Sequence, residues 1–195
     1  MNRSEYSQQL GDDSENLFFS LCEEKNYKPI RALRRENKYE HWDIKITNPE
    51  GEVYRIDVKA IREGSYDTTW LELIGITGKD GSLLGMADYF AFQQKSGFIY
   101  FRRIDLLNWF FSKVGSKFCI KSVDDARGLY SKYFDEKGYL TTENNSFAKS
   151  PRDALYNLYS RKPWNKNGEI HPRHDITTKV SLKDMKRELK WWTFE

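Results

Sequence analysis

The chain has 195 residues, enough for one substantial hydrophobic core, and its 15% aromatic content excludes a disordered protein. A formal net charge of +3 at pH 7 permits a nucleic-acid partner without demanding one. Two cysteines are too few for a disulfide framework. No signal peptide and no membrane-length apolar run are evident, so we expect a cytoplasmic protein with no membrane contact.

The N-terminal segment predicts a helix that runs from about Asp12 to Lys25, after a polar and frayed stretch at residues 1–11. Its apolar face would consist of Leu17, Phe18, Leu21 and Cys22. Glu15 allows two interpretations. With Asp12 as N-cap, it occupies the position of a capping-box glutamate, and alternatively it serves a functional site.

The segment 26–40 is basic and is expected to link this helix to the next element. Its cations are Lys28, Arg31, Arg34, Arg35 and Lys38. Because the segment leads directly into Asp43, these side chains are candidates for phosphate contacts. A solvated loop or helix face is the alternative.

The stretch from His41 to Ala60 predicts two short strands joined by a turn at residues 48–51. Apolar and polar residues alternate on both strands, so each strand has one apolar face. If Ile44 lies opposite Ile56, the two apolar faces coincide and Asp43 lies opposite Asp57. A slip of one residue would split the core face. This register requires an odd-length connection or a bulge.

This pairing brings two carboxylates close together, and Lys59 follows two residues after Asp57 on the same face. Adjacent carboxylates repel each other unless a cation lies between them. Oxygen ligands of this kind suit Mg²⁺ or Mn²⁺, and a nearby lysine is suited to hold water or neutralise a phosphate. An ordinary hairpin with a solvated charged face is the alternative.

Asp43 followed by Asp57-Val58-Lys59 resembles the D…(D/E)-x-K signature of the PD-(D/E)xK nuclease superfamily, over roughly the first half of the chain. The resemblance implies a restriction-endonuclease-like fold. It also implies a metal site formed by Asp43, Asp57 and the Val58 carbonyl, with Glu15 contributed by the preceding helix. Two departures are that Trp42 replaces the proline and that the second acid is Asp rather than Glu.

Beyond the hairpin, Arg62 is a further candidate phosphate ligand. Three strand-like stretches follow, and then a helix with Asp105 as its N-cap: Thr68–Ile76, Ala87–Gln93, Gly97–Arg102 and the helix through Phe110. Glu72 and Asp88 are more typical of structural acids. We expect residues 1–113 to form a nuclease-like α/β core with a mixed sheet flanked by helices.

Residues 114–195 are expected to form a C-terminal helical and loop extension that completes or decorates the same domain. Its predicted elements are helices at Val123–Phe134, Pro151–Ser160 and Ser181–Leu189 and a strand at Asp175–Val180, with loops at Gly138–Pro151 and Arg161–Arg173. His171 and His174 have a spacing that suits a metal only on a helix, which Pro172 opposes.

The sequence therefore predicts a Mg²⁺-dependent nuclease, with Mn²⁺ as a substitute, that hydrolyses phosphodiester bonds. Double-stranded DNA is the expected substrate, and RNA stays open as a variant, because metal carboxylates bind the phosphate and not the sugar. Asp43, Asp57, Lys59 and Glu15 are its expected catalytic residues. A homodimer is a further expectation, since one such site cuts one strand. Two alternatives remain open: a catalytically silent nucleic-acid-binding module, and a protein-interaction subunit with the same fold.

Overall fold

The computed structural model describes residues 3–61, 67–126, 128, 147–160, 164–166, 168–171 and 175–195. The named helices are α1 (Arg3–Glu24), α2 (Arg34–Glu40), α3 (Arg103–Lys113) and α4 (Leu182–Glu188). The strands of the first half are β1 (Lys28–Arg31), β2 (Ile44–Thr47), β3 (Val53–Lys59), β4 (Thr68–Ile74), β5 (Tyr89–Gln93) and β6 (Phe98–Arg102). The later strands are β7 (Leu158–Tyr159), β8 (Trp164–Lys166), β9 (Glu169–His171), β10 (Ile176–Ser181) and β11 (Trp192–Phe194). The predicted mixed α/β class is confirmed.

By its contacts the chain divides into two compact units. One comprises residues 1–69, 85–106 and 182–195, and the other comprises residues 70–84 and 107–181. The predicted boundary after residue 113 therefore falls inside the second unit, and the last residues of the chain belong to the first. Among the described helices, none combines the length and apolar content that crossing a membrane requires.

The first unit is built on a mixed six-stranded sheet with the strand order β1-β2-β3-β5-β6-β11. Strands β3 and β5 run parallel, whereas the other neighbours are antiparallel. Strand β3 is therefore an interior strand, and the three consecutive residues Ile56, Asp57 and Val58 are all buried. The alternative of a solvated charged face is wrong for Asp57, which is buried on an interior strand.

The predicted hairpin is confirmed in both its register and its connection. Ile44 pairs with Ile56 and Thr47 pairs with Val53, so the five residues 48–52 join the strands. The connection is closed by a hydrogen bond of 2.9 Å from the Asn48 amide to the Glu52 carbonyl. Gly51 adopts a φ of +88°, a left-handed conformation that glycine takes without steric cost. Apolar alternation therefore determined this register, as expected.

Helix α1 begins at Arg3, well before the predicted start at Asp12. The prediction that residues 1–11 are frayed is therefore wrong for residues 3–11. Glu15 lies in the middle of a helix, where a capping-box role does not exist. Gly11 disfavours a helix only by about 1 kcal/mol, which the surrounding turns can offset. The helix ends before Asn26, whose φ of +61° terminates it.

Helix α1 packs on the face of the sheet that carries the isoleucines of the hairpin. Phe18 and Cys22 are buried, as predicted, whereas Leu17 is 41% exposed. They belong to one core cluster with Ile44, Ile46, Ile56, Val58, Ala91, Phe98 and Phe194. Each such side chain contributes about 1.5–3 kcal/mol by burial, so this contact fixes the position of α1 on the hairpin.

In the second unit, strands β4, β10 and β7 form a three-stranded sheet, and β8 pairs with β9. The predicted strand and helix near the C-terminus are confirmed as β10 and α4. The predicted helix at Pro151–Ser160 is wrong, because Tyr156 takes a φ of +54° and Leu158–Tyr159 pairs with β10. The predicted helix at Val123–Phe134 and the loop at Gly138–Pro151 lie largely outside the described residues.

A substitution at Gly97 tests how β11 is attached to the sheet. Gly97 has a φ of +67°, and an added Cβ would lie 2.3 Å from the Phe194 carbonyl oxygen. We expect Gly97→Ala to lower the free energy of unfolding by about 2–4 kcal/mol, from backbone strain plus this clash. Urea unfolding measures the effect. Gly51→Ala is the control, because Gly51 is also left-handed but has no atom within 4 Å of the added Cβ. Equal losses in the two variants would contradict a steric role for Phe194.

Candidate functional site

Two carboxylates face each other across the β2–β3 hairpin. Asp43 directly precedes the pair Ile44–Ile56 at the end of the ladder, and its side chain is hydrogen-bonded with that of Asp57. The Asp57 side chain is buried, with 3% of the residue exposed. Burial raises the pKa of Asp43 to about 7, and both repulsion by Asp57 and hydrogen bonding with its side chain act in the same direction. The two acids therefore form a coupled pair that is poorly solvated.

The Asp43 carboxylate is held in place by two hydrogen bonds. Its Oδ2 accepts a bond of 2.7 Å from the Val58 backbone N–H, and its Oδ1 accepts one from Asn37 Nδ2. The Asp43 backbone is also fixed, because its N–H donates to the Ile56 carbonyl and its carbonyl accepts from the Ala32 N–H. Both carboxylate oxygens of Asp43 are thus oriented before any ligand arrives.

Asn37 is a site residue that the sequence did not indicate. It lies on α2 within a short polar run, where an asparagine has no periodicity or motif to distinguish it. Its amide reaches Asp43 only because α2 folds back beside the start of β2. This contact depends on the turn at His41, whose left-handed φ of +56° ends α2.

Lys59 lies two residues after Asp57 on β3, and strand alternation places the two side chains on the same face. Lys59 Nζ is 2.6 Å from Asp57 Oδ1, and it lies 5.4 Å from the centre of the Phe90 ring. The Lys59 side chain is 30% exposed, whereas that of Asp57 is 4% exposed. A cation that is partly accessible to solvent thus stands beside a buried carboxylate.

Glu15 is brought to the same site by α1. Burial raises the pKa of Glu15 to about 7, and the negative charge of Asp43 adds to this effect. Arg31 and Lys59 act in the opposite direction. Because Asp43 and Lys59 both influence the Glu15 carboxyl, the structure brings the four predicted catalytic residues into one electrostatic cluster.

Arg31 is predicted to contact phosphate, and the structure places it beside α1. Its guanidinium is 3.5 Å from the Glu15 carboxylate and donates a hydrogen bond of 2.6 Å to Asn16 Oδ1. It also lies 4.9 Å from the centre of the Phe19 ring. These contacts direct Arg31 toward Glu15, so holding that carboxylate is the role its surroundings favour.

The other predicted phosphate contacts lie on α2, where Arg34, Arg35 and Lys38 are all exposed. Arg34 precedes Asn37 by three residues, so the two share one side of the helix, whereas Arg35 lies on nearly the opposite side. Of these two predicted phosphate contacts, Arg34 therefore lies on the side of α2 nearer to Asp43. Arg62 lies outside the described residues.

The resemblance implies a metal ion, whose donors would come from this cluster. Among the described residues, no three His, Cys, Asp or Glu side chains are already grouped to hold a metal ion. The implied donors are instead two carboxylates, Asp43 and Asp57, with one backbone carbonyl, that of Val58. Burial first, and repulsion by Asp57 second, raise the pKa of Asp43; a divalent cation would offset that repulsion, and carboxylate and carbonyl oxygens are ligands that Mg²⁺ accepts. The residues present fit the ion.

Other candidate residues do not join this cluster. Asp88 Oδ2 accepts a hydrogen bond of 2.7 Å from the Arg55 backbone N–H, which supports the prediction that this acid is structural. His171 lies on β9 with Nε2 3.8 Å from the Glu169 carboxylate. His174 lies outside the described residues. Comparisons with protein-family models, curated proteins and solved structures find no match to the chain.

Proposed function

We propose that this protein is a metal-dependent nuclease that hydrolyses phosphodiester bonds in DNA, with the restriction-endonuclease-like fold of the PD-(D/E)xK superfamily. The observation that carries the proposal is the facing pair Asp43 and Asp57 with Lys59 beside it, all on one hairpin. An ordinary surface hairpin does not bury one of its carboxylates at 3% exposure next to a second acid.

Asp43, Asp57 and the Val58 carbonyl are the residues proposed to hold Mg²⁺, with Mn²⁺ as a substitute. The bound ion supplies Lewis-acid stabilisation of the charge that develops on the phosphate. Val58 contributes doubly to the site, because its N–H already orients Asp43 Oδ2.

Side chains of the protein are proposed to position the attacking water and the carboxylates. Lys59 Nζ is proposed to donate a hydrogen bond to the attacking water or to a phosphate oxygen, and its partial exposure leaves a direction for that contact. Glu15 is proposed to orient a water from the side of α1, while Arg31 holds the glutamate in position. Asn37 keeps Asp43 from rotating.

An anionic substrate is favoured by cations that share a sheet face with the acids. In the observed register, Lys45 pairs with Arg55, and Lys28 pairs with Thr47 one step further from the site. Opposed residues in a sheet lie on the same face, so Lys28, Lys45 and Arg55 project from the side that carries the acids. A phosphate backbone that crosses this face would meet these cations before it reached the carboxylates.

The α2 cations give a paired test of substrate binding. We expect Arg34→Ala to weaken binding of a DNA duplex about threefold to tenfold and to reduce the salt dependence of the binding constant by about one ion. Arg35→Ala should change neither quantity appreciably, since its side chain lies on the other side of α2. Fluorescence anisotropy in EDTA at several salt concentrations measures both. Equal losses in the two variants would indicate that α2 does not meet the substrate through its Asn37 side.

The activity itself is tested with plasmid, linear duplex, single-stranded DNA and RNA, each with Mg²⁺, Mn²⁺ or EDTA. We expect cleavage of DNA that requires a divalent ion. Conversion of the plasmid to the nicked form alone would indicate one site acting on one strand, and direct linearisation would indicate a dimer that cuts both. An absence of cleavage on every substrate, with binding intact, would contradict the proposal and favour a silent binding module.

A further inference from the structure

The first unit contains a cavity of about 230 Å³ on the face of the sheet where α1 packs. Its lining includes Phe18, Ile46 and Ile56 from the core cluster. Aromatic rings from four different strands also line it: Tyr54, Tyr89, Tyr100 and Trp192. We call this cavity the aromatic pocket. Neither Asp43 nor Asp57 lines the aromatic pocket, and the proposed nuclease mechanism does not use it.

The rings of the aromatic pocket support one another in a defined arrangement. The Tyr89 ring is centred 5.5 Å from Tyr54, 5.6 Å from Tyr100 and 5.8 Å from Trp192, with interplanar angles between 82° and 88°. Tyr100 and Trp192 stack at 5.7 Å and 16°. Such contacts fix the ring planes in place, so the pocket presents preformed aromatic surfaces.

Four tyrosines line the aromatic pocket, and their hydroxyl groups can donate and accept hydrogen bonds. Tyr54 donates a hydrogen bond of 2.7 Å to Glu52. Within the described part of the chain, the hydroxyls of Tyr27, Tyr89 and Tyr100 make no hydrogen bond. Burial and the neighbouring Tyr27 and Tyr89 raise the pKa of Tyr100, which places these phenols close together. These three tyrosines are half-buried, and a phenol hydroxyl both donates and accepts hydrogen bonds, so this cluster is suited to a polar ligand edge.

The lining limits the chemistry of the ligand. No charged side chain lines the aromatic pocket among the described residues, which disfavours a charged ligand. Its volume lies below the range of roughly 300–1,000 Å³ typical of drug-sized sites, which suits a single flat ring system. Aromatic surfaces together with tyrosine hydroxyls match a neutral planar heterocycle that carries both donors and acceptors.

We propose that the aromatic pocket binds a nucleobase whose plane lies parallel to the Tyr100 and Trp192 rings and perpendicular to the Tyr89 ring, with its polar edge hydrogen-bonded to tyrosine hydroxyls. Stacking of a base on an aromatic side chain contributes about 1–3 kcal/mol, and the hydroxyls add selectivity for heterocycles over hydrocarbons. The base comes either from a free nucleoside or from an unpaired position of a nucleic-acid strand. This inference goes beyond hydrolysis and does not depend on it.

The test is calorimetric titration of the full chain in EDTA with each common nucleoside, and with indole as an apolar comparison. We expect at least one nucleoside to bind more tightly than indole. Tyr100→Phe and Tyr89→Phe, which keep their rings, should each weaken that binding about fivefold to tenfold. Tyr39→Phe is the control, since Tyr39 does not line the pocket, and it should bind as the wild type does.

Several results would overturn the inference. These are an absence of nucleoside binding at millimolar concentration, equal affinity for indole, or unchanged nucleoside affinity in both pocket variants. Because nucleosides contain no phosphodiester and the buffer contains no free metal, failure of the nuclease proposal leaves this measurement unaffected. Competition between the bound nucleoside and a short single-stranded oligonucleotide would identify the strand as the source, and its absence would identify the free nucleoside.

Discussion

Asp57→Asn is expected to abolish metal-dependent cleavage, with a fall in rate of about 10³-fold or more. The substitution keeps the volume of a buried side chain but removes the negative charge and one oxygen ligand. Asp57 is 3% exposed and lies opposite Asp43, so no neighbouring water can replace the missing ligand without rearranging the strand. Nicking of plasmid by purified protein, with Mg²⁺ or Mn²⁺ at fixed concentration, measures the effect.

Stability measurements separate this loss of activity from a loss of folding. Without metal, Asp57→Asn should unfold at or above the wild-type temperature, because the repulsion between Asp57 and Asp43 is removed. Lys59 loses an ionic partner, but its side chain is 30% exposed and is partly hydrated. Addition of Mn²⁺ should raise the melting temperature of the wild type and leave that of the variant nearly unchanged.

A matched acid on the same sheet completes the comparison. Asp88 accepts a hydrogen bond from the Arg55 backbone N–H, which the oxygen of an asparagine can also accept. Asp88→Asn should therefore keep both cleavage and the stabilisation by Mn²⁺. Retained metal-dependent cleavage by Asp57→Asn would remove the hairpin from the proposed active site, whatever Asp88→Asn does.

The hairpin could be predicted from the sequence because its register depends on local information. Alternation of Ile44 and Ile46 with polar residues matches that of Ile56 and Val58, and a slip of one residue would divide these four between the two faces. The carboxylate pair follows from that register. The burial of Asp57 does not, because it depends on the parallel neighbour β5, which lies about thirty residues further along the chain.

The start of α1 and the aromatic pocket were not predicted, for one local and one long-range reason. Helix α1 starts at Arg3 because its sequence tolerates a helix before Asp12, and a capping signature cannot exclude a longer helix. Trp192 joins the aromatic pocket only because β11 returns to pair with β6. The local pattern of apolar and polar residues does not indicate which strand the C-terminal residues pair with. The aromatic pocket therefore could not be predicted from the sequence.

The opposite electrostatic change is Lys59→Met, which we expect to lower the cleavage rate about 10²-fold to 10³-fold while metal binding persists. Methionine keeps an unbranched apolar chain beside the Phe90 ring and removes the ammonium group 2.6 Å from Asp57. The remaining Asp57 and Asp43 charges then have no lysine to offset them. The metal-free variant should therefore be less stable than the wild type, and Mn²⁺ should raise its melting temperature by more.

The cleavage rate of Lys59→Met at saturating Mn²⁺ distinguishes two roles for Lys59. If it acts on the water or phosphate, Lys59→Met loses cleavage even at saturating Mn²⁺, where the metal already neutralises Asp57. If it only balances the charge of Asp57, saturating metal restores the wild-type rate, and the proposed role in positioning water is wrong. Lys45→Met is the matched control, because Lys45 shares the sheet face and is likewise half-buried but pairs with Arg55 rather than with a carboxylate. It should affect substrate binding modestly and leave the rate at saturating substrate unchanged, so that a loss confined to Lys59→Met reports on the chemistry of the site rather than on the charge of the face.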